Sequence, residues 1–379
     1  MAKVVILGSA HPLRGGGLAT FNERLARAFQ DEGHEVIIYT FSLQYPGFLF
    51  PGKTQYSEDP APEGLDIRVK VNSLSPLNWW KVGRELRKLK PDLLVVRYWI
   101  PFMAPCLGTI ASMVKKNKHT RVVAIADNII PHEKRPGDRL LTHYFVKRIQ
   151  GFVTLSESVR EDLMQFGVPE TRSIYCAHPL YDNFGEFLPM EQARKQLGIA
   201  HKGPIVLFFG FIRDYKGLDL LLKAFASPEI KALPLKLLVA GEFYTDPEPY
   251  HELAEEFGME EQVLWQTHFI PNEKVREYFC AANLVAQPYK SATQSGVTQV
   301  AYHFEVPMLV TRVGGLPEMV PHGKVGYVVE PEPKEISKAI AEFFKEGREK
   351  AYRENIKEEK KRFTWQKLVN ALIEQGNKR

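Results

Sequence analysis

Apolar runs of four to eight residues recur along the chain, and amphipathic stretches separate most of them. In the first half the runs are VVILGS, EVIIYTF, IRVKV, DLLVVRYW, RVVAIAD, GFVTL and SIYCAH. They are continuous rather than alternating, which marks strands covered on both faces. Helical periodicity falls at Leu18–Glu32, Trp79–Leu89, Cys106–Lys115, Arg139–Gln150 and Ser156–Phe166. The last opens on Ser156 as an N-cap with Glu157 in its first turn and closes on Gly167. A second series follows: IVLFFG, LKLLVAG, QVLWQ, LVAQPY, PMLVTRV and YVVE. Helices are predicted between them at Gly217–Phe225, Tyr250–Phe257, Asn272–Ala282, Gly296–Phe304 and Glu335–Glu346.

Strand–helix alternation of this kind builds a doubly wound parallel sheet. Between the two series, residues 178–204 hold three prolines and break the rhythm. The predicted fold class is therefore α/β, with two Rossmann-like doubly wound domains facing across a cleft. The domains are 1–182, a linker at 183–203, then 204–349. Charged helices at 350–379 carry Phe363, Trp365 and Leu368 and are expected to pack back on the first domain. No internal repeat is visible in the sequence.

Composition changes this picture little. At 379 residues, 44% hydrophobic and 25% charged, the chain has enough apolar residues for two cores. Charge adds more. Residues 1–190 carry 24 Lys and Arg against 19 Asp and Glu, whereas 191–379 carry 26 of each. The excess is densest at 115–148. Charge alone favours a solvated basic surface; weak attachment to an anionic membrane or handling of anionic substrates is the sharper reading. Nucleic-acid binding is not expected, because no recognisable module groups the cations with exposed aromatics. Cys106, Cys176 and Cys280 lie far apart, without metal or disulfide spacing, which fits a reducing, cytosolic compartment. The run from Tyr98 to Val114 is too short, and too interrupted by Pro101 and Pro105, for a spanning helix.

In doubly wound sheets, ligands sit beyond the carboxyl ends of the strands, so the loops after strands carry the candidate chemistry. Behind strand one lies GSAHPLRGGGLATF, where Gly15, Gly16 and Gly17 let backbone amides approach a ligand at a helix start. It lacks the spaced glycines of a dinucleotide fingerprint. In FFGFIRDYKGLDLLLKAF, Arg213 and Lys216 bring two cations to a strand end, which suits a diphosphate leaving group. In IADNIIPHEKRPGD, Asp127 and His132, beside Asn128 and Glu133, are candidates to orient an acceptor hydroxyl or act as base. In VGGLPEMV, Gly314 and Gly315 make a turn ahead of Glu318. In SATQSGVTQVAYHF (291–304), Ser295 is placed as N-cap, and Gly296, Val297 and Thr298 would present free amides to an anion. Each loop also has a plainer reading: a flexible or solvated turn, a structural Asp–His pair, or a capped core helix.

Together these segments resemble retaining glycosyltransferases of the GT-B fold, similar to glycosyltransferase family 4. FFGFIRDYKGLDLLLKAF, LLVAGE, SATQSGVTQVAYHFEVPMLVT and VGGLPEMV carry the resemblance, and the Gly-rich first loop and FTW (363–365) agree with it. It implies transfer of a sugar from a nucleotide-diphospho-sugar to an acceptor hydroxyl, in polysaccharide or glycoconjugate assembly. The second domain would hold the donor and the first a sugar or lipid-linked acceptor. Arg213 and Lys216 would bind the diphosphate. Gly16, Gly17, Gln294, Ser295, Gly296, Val297 and Glu318 would line the donor site, and His132 or Asp127 would contact the transferred sugar. No cofactor or metal is expected, and no Asp-x-Asp motif is evident. The expected location is cytoplasmic, with peripheral contact at the inner membrane face through the basic first domain.

The sequence departs from the family in two places. The usual basic residue directly after the loop glycine is Phe211, with Arg213 two positions later. The family's two glutamates, seven residues apart, fall on Ala292 and Val300 when Pro307 is aligned, or on Thr293 and Ala301 when Gly296 is aligned. The implied front-face mechanism does not need them, since the donor phosphate can take the acceptor proton. A catalytically weak nucleotide-sugar-binding partner subunit is the alternative the missing acids raise. A nicotinamide oxidoreductase is disfavoured by the absent glycine fingerprint.

Overall fold

A computed structural model describes residues 1–14, 17–47, 54–57, 60–131 and 135–378. The chain divides into two compact units. Unit 1 comprises Met1–Pro179 and Thr364–Arg379, and unit 2 comprises Leu180–Phe363.

Unit 1 runs β1 (Lys3–Leu7), α1 (Gly17–Asp31), β2 (Glu35–Leu43), β3 (Asp66–Asn72), α2 (Pro76–Leu89), β4 (Leu93–Tyr98) and α3 (Ala104–Lys115). It continues with β5 (Arg121–Ala126), α4 (Asp138–Val146), β6 (Gly151–Thr154), α5 (Glu157–Gln165) and β7 (Ser173–Tyr175). All seven predicted strands are present, in one parallel sheet ordered β3-β2-β1-β4-β5-β6-β7. The central register sets Val5 opposite Ile37 on one side and Leu94 on the other. Val4 to Leu7 and Leu94 to Val96 have no exposed surface, as strands covered on both faces require. Ser156 caps α5 as expected, its hydroxyl accepting from the Val159 amide at 3.4 Å.

Unit 2 runs α6 (Met190–Gln196), β8 (Ile205–Phe209), α7 (Leu218–Phe225), α8 (Pro228–Lys231), β9 (Lys236–Ala240), α9 (Glu248–Glu256) and β10 (Val263–Gln266). Then come α10 (Val275–Ala281), β11 (Leu284–Gln287), α11 (Gly296–His303), β12 (Met308–Thr311), α12 (Leu316–Met319), β13 (Gly326–Val329), α13 (Pro333–Lys345) and α14 (Glu349–Glu359). The six strands are again parallel, ordered β10-β9-β8-β11-β12-β13. Order reverses between β8 and β11, the switch point at which such sheets hold ligands.

Two segments differ from the sequence reading. Residues 183–203, expected as a linker, lie within unit 2 and contain α6. Arg194 anchors this helix by donating to the carbonyls of Ala281 at 3.0 Å and Gly203 at 2.9 Å. The C-terminal helices separate: α14 stays in unit 2, where Arg353 donates to the Glu305 and Ala282 carbonyls. The final helix α15 (Trp365–Asn377) belongs to unit 1, its Trp365 ring 4.9 Å from that of Phe21.

Candidate active site

At the carboxyl edge of the unit 2 sheet, β8 runs into a tight loop that ends at α7. Gly210 (φ 101°) turns the chain, and a Cβ there would come within 3.0 Å of the Lys216 Nζ and 3.8 Å of Val297. Lys216 therefore folds back over its own loop toward the start of α11. Arg213 is extended, and its carbonyl accepts from the Lys216 amide at 3.0 Å to close a short turn. Gly217 (φ 69°) ends the turn so close to the sheet that a Cβ would lie 2.0 Å from the Pro288 carbonyl oxygen. Only glycine fits that conformation and that gap.

The same loop is tied to the exit of β11. The Lys290 amide donates to the Tyr215 carbonyl at 2.7 Å, and its ammonium pairs with Asp214 at 2.8 Å and Asp219 at 3.0 Å. Arg213 and Lys216 are treated differently. The Arg213 guanidinium lies 5.2 Å from the Tyr244 ring, and the Lys216 ammonium 5.6 Å from the Tyr289 ring. Among the described residues neither has a carboxylate partner. Burial, and then repulsion from Arg213, pull the Lys216 pKa down to about 8. The loop thus presents two uncompensated cations.

The SATQSG loop (291–296) after β11 lies against the turn after β12. Gly314 (φ 49°) leaves no room for a side chain, since a Cβ would sit 1.6 Å from the Ala292 carbonyl oxygen. The Gly315 amide donates to the Thr293 carbonyl at 3.0 Å. Ser295 occupies the N-cap position of α11 as expected, but its hydroxyl makes no cap and instead lies 3.3 Å from the Tyr289 hydroxyl. The amides of Gly296, Val297 and Thr298 have no acceptor among the described residues. A helix start with uncapped amides attracts an anion. Val297 and Lys216 both adjoin Gly210, so these amides and the ammonium share one corner of the sheet edge.

Where the resemblance would place acids, Ala292, Val300 and Ala301 are buried and apolar, and Thr293 is half-buried and polar. Gln299 is fully buried; its amide nitrogen is 4.0 Å from the Met319 sulfur and its Oε1 lacks a partner among the described residues. The Gln287 Oε1 accepts from the Thr298 hydroxyl at 3.1 Å. Glu318 is half-buried on α12, where its backbone carbonyl accepts from Arg362 at 2.8 Å. Gln294 is half-buried in the SATQSG loop.

In unit 1 only some of the sequence-derived residues are described. Gly16 and His132, with Gly15 and Glu133, lie outside the described residues. Gly17 begins α1 and is exposed, with nothing near its missing Cβ. Asp127 directly follows β5, as expected, and its carboxylate is already engaged there. Both oxygens accept from Arg97, the Nε and Nη2 bonds each measuring 2.6 Å. Arg97 is 2% and Asp127 6% exposed, so this is a buried bidentate pair. The Phe21 ring lies 3.8 Å from the guanidinium and His178 packs edge-on to Phe21 at 5.0 Å. Burial, and repulsion from Arg97, lower the His178 pKa to about 3 against the pull of the Pro179 carbonyl, so the ring stays neutral. Sequence reasoning missed Arg97 and His178. A lone cation inside the apolar run LLVVRYW was the available signal, because a charge in a doubly covered strand needs a buried partner.

Comparison with known proteins supplies the context. The family model described as glycosyl transferases group 1 matches residues 189–363, and that for glycosyltransferase family 4 matches residues 15–179. D-inositol 3-phosphate glycosyltransferase 1 of Catenulispora acidiphila is 27% identical over 66% of this chain and 57% of its own length. The D-inositol 3-phosphate glycosyltransferase of Corynebacterium urealyticum is 29% identical over 48% of this chain and 45% of its own. The chain thus spans about half the length of these curated relatives. Among solved structures, sucrose-phosphate synthase from Thermosynechococcus elongatus superimposes with TM-score 0.72, covering 99% of this chain and 97% of that one at 18% identity. Anabaena HepE in complex with UDP-glucose gives TM-score 0.73 over 99% and 98% at 16% identity. At such identities the likeness establishes the fold. With one family model on each sheet and only residues 180–188 between them, the chain belongs to the group 1 glycosyltransferases and carries the GT-B fold.

Proposed function

We propose that the protein transfers a sugar from a nucleotide-diphospho-sugar to an acceptor hydroxyl, with retention and without a metal ion. The observation that carries this reading is the pairing of two uncompensated cations, Arg213 and Lys216, with the uncapped amides of α11. The donor diphosphate would lie across them, with Gln294, Ser295 and Glu318 toward its nucleoside and sugar. Unit 1 would take a sugar or lipid-linked acceptor; Gly16, Gly17 and His132 keep the roles the resemblance gives them, and of these only Gly17 lies within the described residues. Asp127 would hold the end of β5 through Arg97 rather than accept a proton.

In the step itself, the bond from the anomeric carbon to the β-phosphate oxygen breaks. A bond to the acceptor oxygen forms on the same face, and the acceptor proton passes to the departing phosphate oxygen. Charge grows on the diphosphate, where the two cations and the helix amides would stabilise it. Donors of this kind, fixed before the reaction, are each worth on the order of 10²–10³ in rate. No cofactor is required, and the reaction fits polysaccharide or glycoconjugate assembly in the cytoplasm, at the membrane face.

The second reading, a binding subunit without turnover, is favoured only by the apolar residues at 292, 300 and 301. One experiment separates the two. The purified chain is incubated with UDP-, GDP- and other nucleotide sugars, with and without chelator, and nucleotide binding and release are measured. The complexes of Anabaena HepE with UDP and UDP-glucose make uridine donors the first to test. Chelator-insensitive release supports the transferase. Binding without release across many acceptors supports the partner subunit. Absence of donor binding sinks both, and loss of release on chelation removes the metal-free mechanism.

A further inference from the structure

Helix α2 of unit 1 has one face committed to the core and one that the protein leaves uncovered. Val82, Gly83 and Leu86 are buried, with Gly83 so close to Met113 of α3 that a Cβ would lie 2.9 Å away. The other face carries Leu77, 84% exposed, and Trp80, 54% exposed, with Leu74, 44% exposed, in the turn just before the helix. From there Lys81, Arg84, Arg87, Lys88 and Lys90 run to its C-terminal end, all exposed. Steps of three and four residues from Leu77 through Trp80, Lys81 and Arg84 to Lys88 place them along one stripe. The one acid of the helix, Glu85, turns away: it accepts from the Tyr39 hydroxyl at 2.8 Å and pairs with Lys70 at 3.7 Å. Among the described residues none of the five cations has a carboxylate partner. Arg84 instead lies 5.4 Å from the Trp80 ring.

We propose that this face of α2 is a docking surface for an anionic phospholipid membrane. An exposed leucine and an exposed indole side by side gain nothing in water. At a bilayer interface both are favoured, the indole at headgroup depth and the leucine toward the acyl chains. The cation row beside them complements phosphate headgroups, and its lack of internal carboxylates leaves every charge available. A nucleic acid would engage the cations but offers no apolar phase for Leu77. None of the helices among the described residues is long and apolar enough to cross a membrane, so the contact would be peripheral. The assignment moves the membrane contact from the basic stretch 115–148 to a helix with both an apolar and a cationic component. It stands independently of the sugar-transfer reading.

The test is sedimentation of the full chain with vesicles of phosphatidylcholine, with and without phosphatidylglycerol. The parent protein is expected to partition onto the anionic vesicles alone and to be released by salt. Replacing Arg84→Gln together with Lys88→Gln should weaken partition about 25-fold, at roughly fivefold per cation. Leu77→Ser with Trp80→Ser should weaken it by at least about tenfold. Quenching of tryptophan emission by spin-labelled lipid should fall in Trp80→Phe. All these positions are exposed, so unchanged melting curves will show that the variants fold. The proposal is overturned if the parent does not bind anionic vesicles, or if the Leu77/Trp80 variant binds as the parent does. It is equally overturned if Leu77→Ser dissolves a dimer present without vesicles, which would assign the face to a second copy.

Discussion

Asp127 offers the sharpest discrimination between a catalytic and a structural carboxylate. Its two oxygens each accept a 2.6 Å bond from Arg97, and both residues are almost wholly buried. Asp127→Ala would leave a guanidinium sealed under Phe21, with its Nη1 already lacking a partner among the described residues. Breaking a buried pair from one side costs about 3–5 kcal/mol. In a unit of this size each kcal/mol moves the melting temperature by about 2–4 °C, so unit 1 should melt about 6–20 °C lower. Asp127→Asn should fall short of that, because the amide still accepts one bond. The double change Arg97→Met with Asp127→Leu should recover most of the loss, since neither charge then remains buried. Calorimetry of the four proteins, beside turnover measured well below the lowest melting point, reads both quantities. If Asp127→Ala melts with the parent and turnover alone collapses, the structural assignment is wrong and Asp127 is the base.

Two further outcomes follow from unit 2. Lys216, with its pKa lowered to about 8, should lose its proton as pH rises through that value. Donor-limited kcat/KM should therefore fall above pH about 8. Lys216→Arg should flatten this limb, and Lys216→Ala should lower turnover by about 10²–10³ at every pH. The same shift has a stability sign. A lysine whose folded value lies below its unfolded 10.5 burdens the empty fold at low pH, and the burden is relieved as pH climbs from about 8 to 10.5. Bound nucleotide should suppress this pH dependence in thermal melts. Gly217→Ala, which pushes a methyl to 2.0 Å from the Pro288 carbonyl at φ 69°, should displace the turn between Arg213 and α7. Donor KM should rise at least tenfold while the circular dichroism of the sheet stays unchanged. An unaltered KM would mean that the turn does not position the cations.

The architecture was legible because its strands are buried on both faces. Runs such as VVIL, LLVV and VVAIA stand out without any knowledge of neighbours, and each proved to be a strand of a parallel sheet. Helix α6 was hidden for the opposite reason. Prolines at 179, 189 and 204 surround it. Its stability comes from Arg194 bonding to carbonyls at Ala281, His201 and Gly203, contacts that no local pattern reveals. The loop after β8 was readable, since position after a strand and two cations are both local features. The state of Asp127 was not, because its partner lies thirty residues away on the neighbouring strand. For Ser295 the sequence located the helix start correctly but not the direction of the hydroxyl, which Tyr289 decides.

Three cations converge on the edge of unit 2, and the fold sorts them. Lys290 is spent on Asp214 and Asp219, and this fixes the turn while cancelling two carboxylates beside Arg213 and Lys216. Arg213 and Lys216 are left uncompensated, close enough to repel and held against aromatic rings. An acid at Ala292 or Val300 would take a buried position, where an unpaired carboxylate is costly. An acid there would need a cationic partner, and any cation it drew on would be lost to an arriving anion. The uncharged SATQSG loop avoids this competition. Its helix amides add positive potential, which further disfavours the empty site. On the proposed function, an arriving dianion would relieve the repulsion between Arg213 and Lys216 and engage the open amides in one step. On that same reading, the absence of the two glutamates leaves the anion-binding groups intact and would shift recognition of the sugar and ribose onto neutral donors and acceptors.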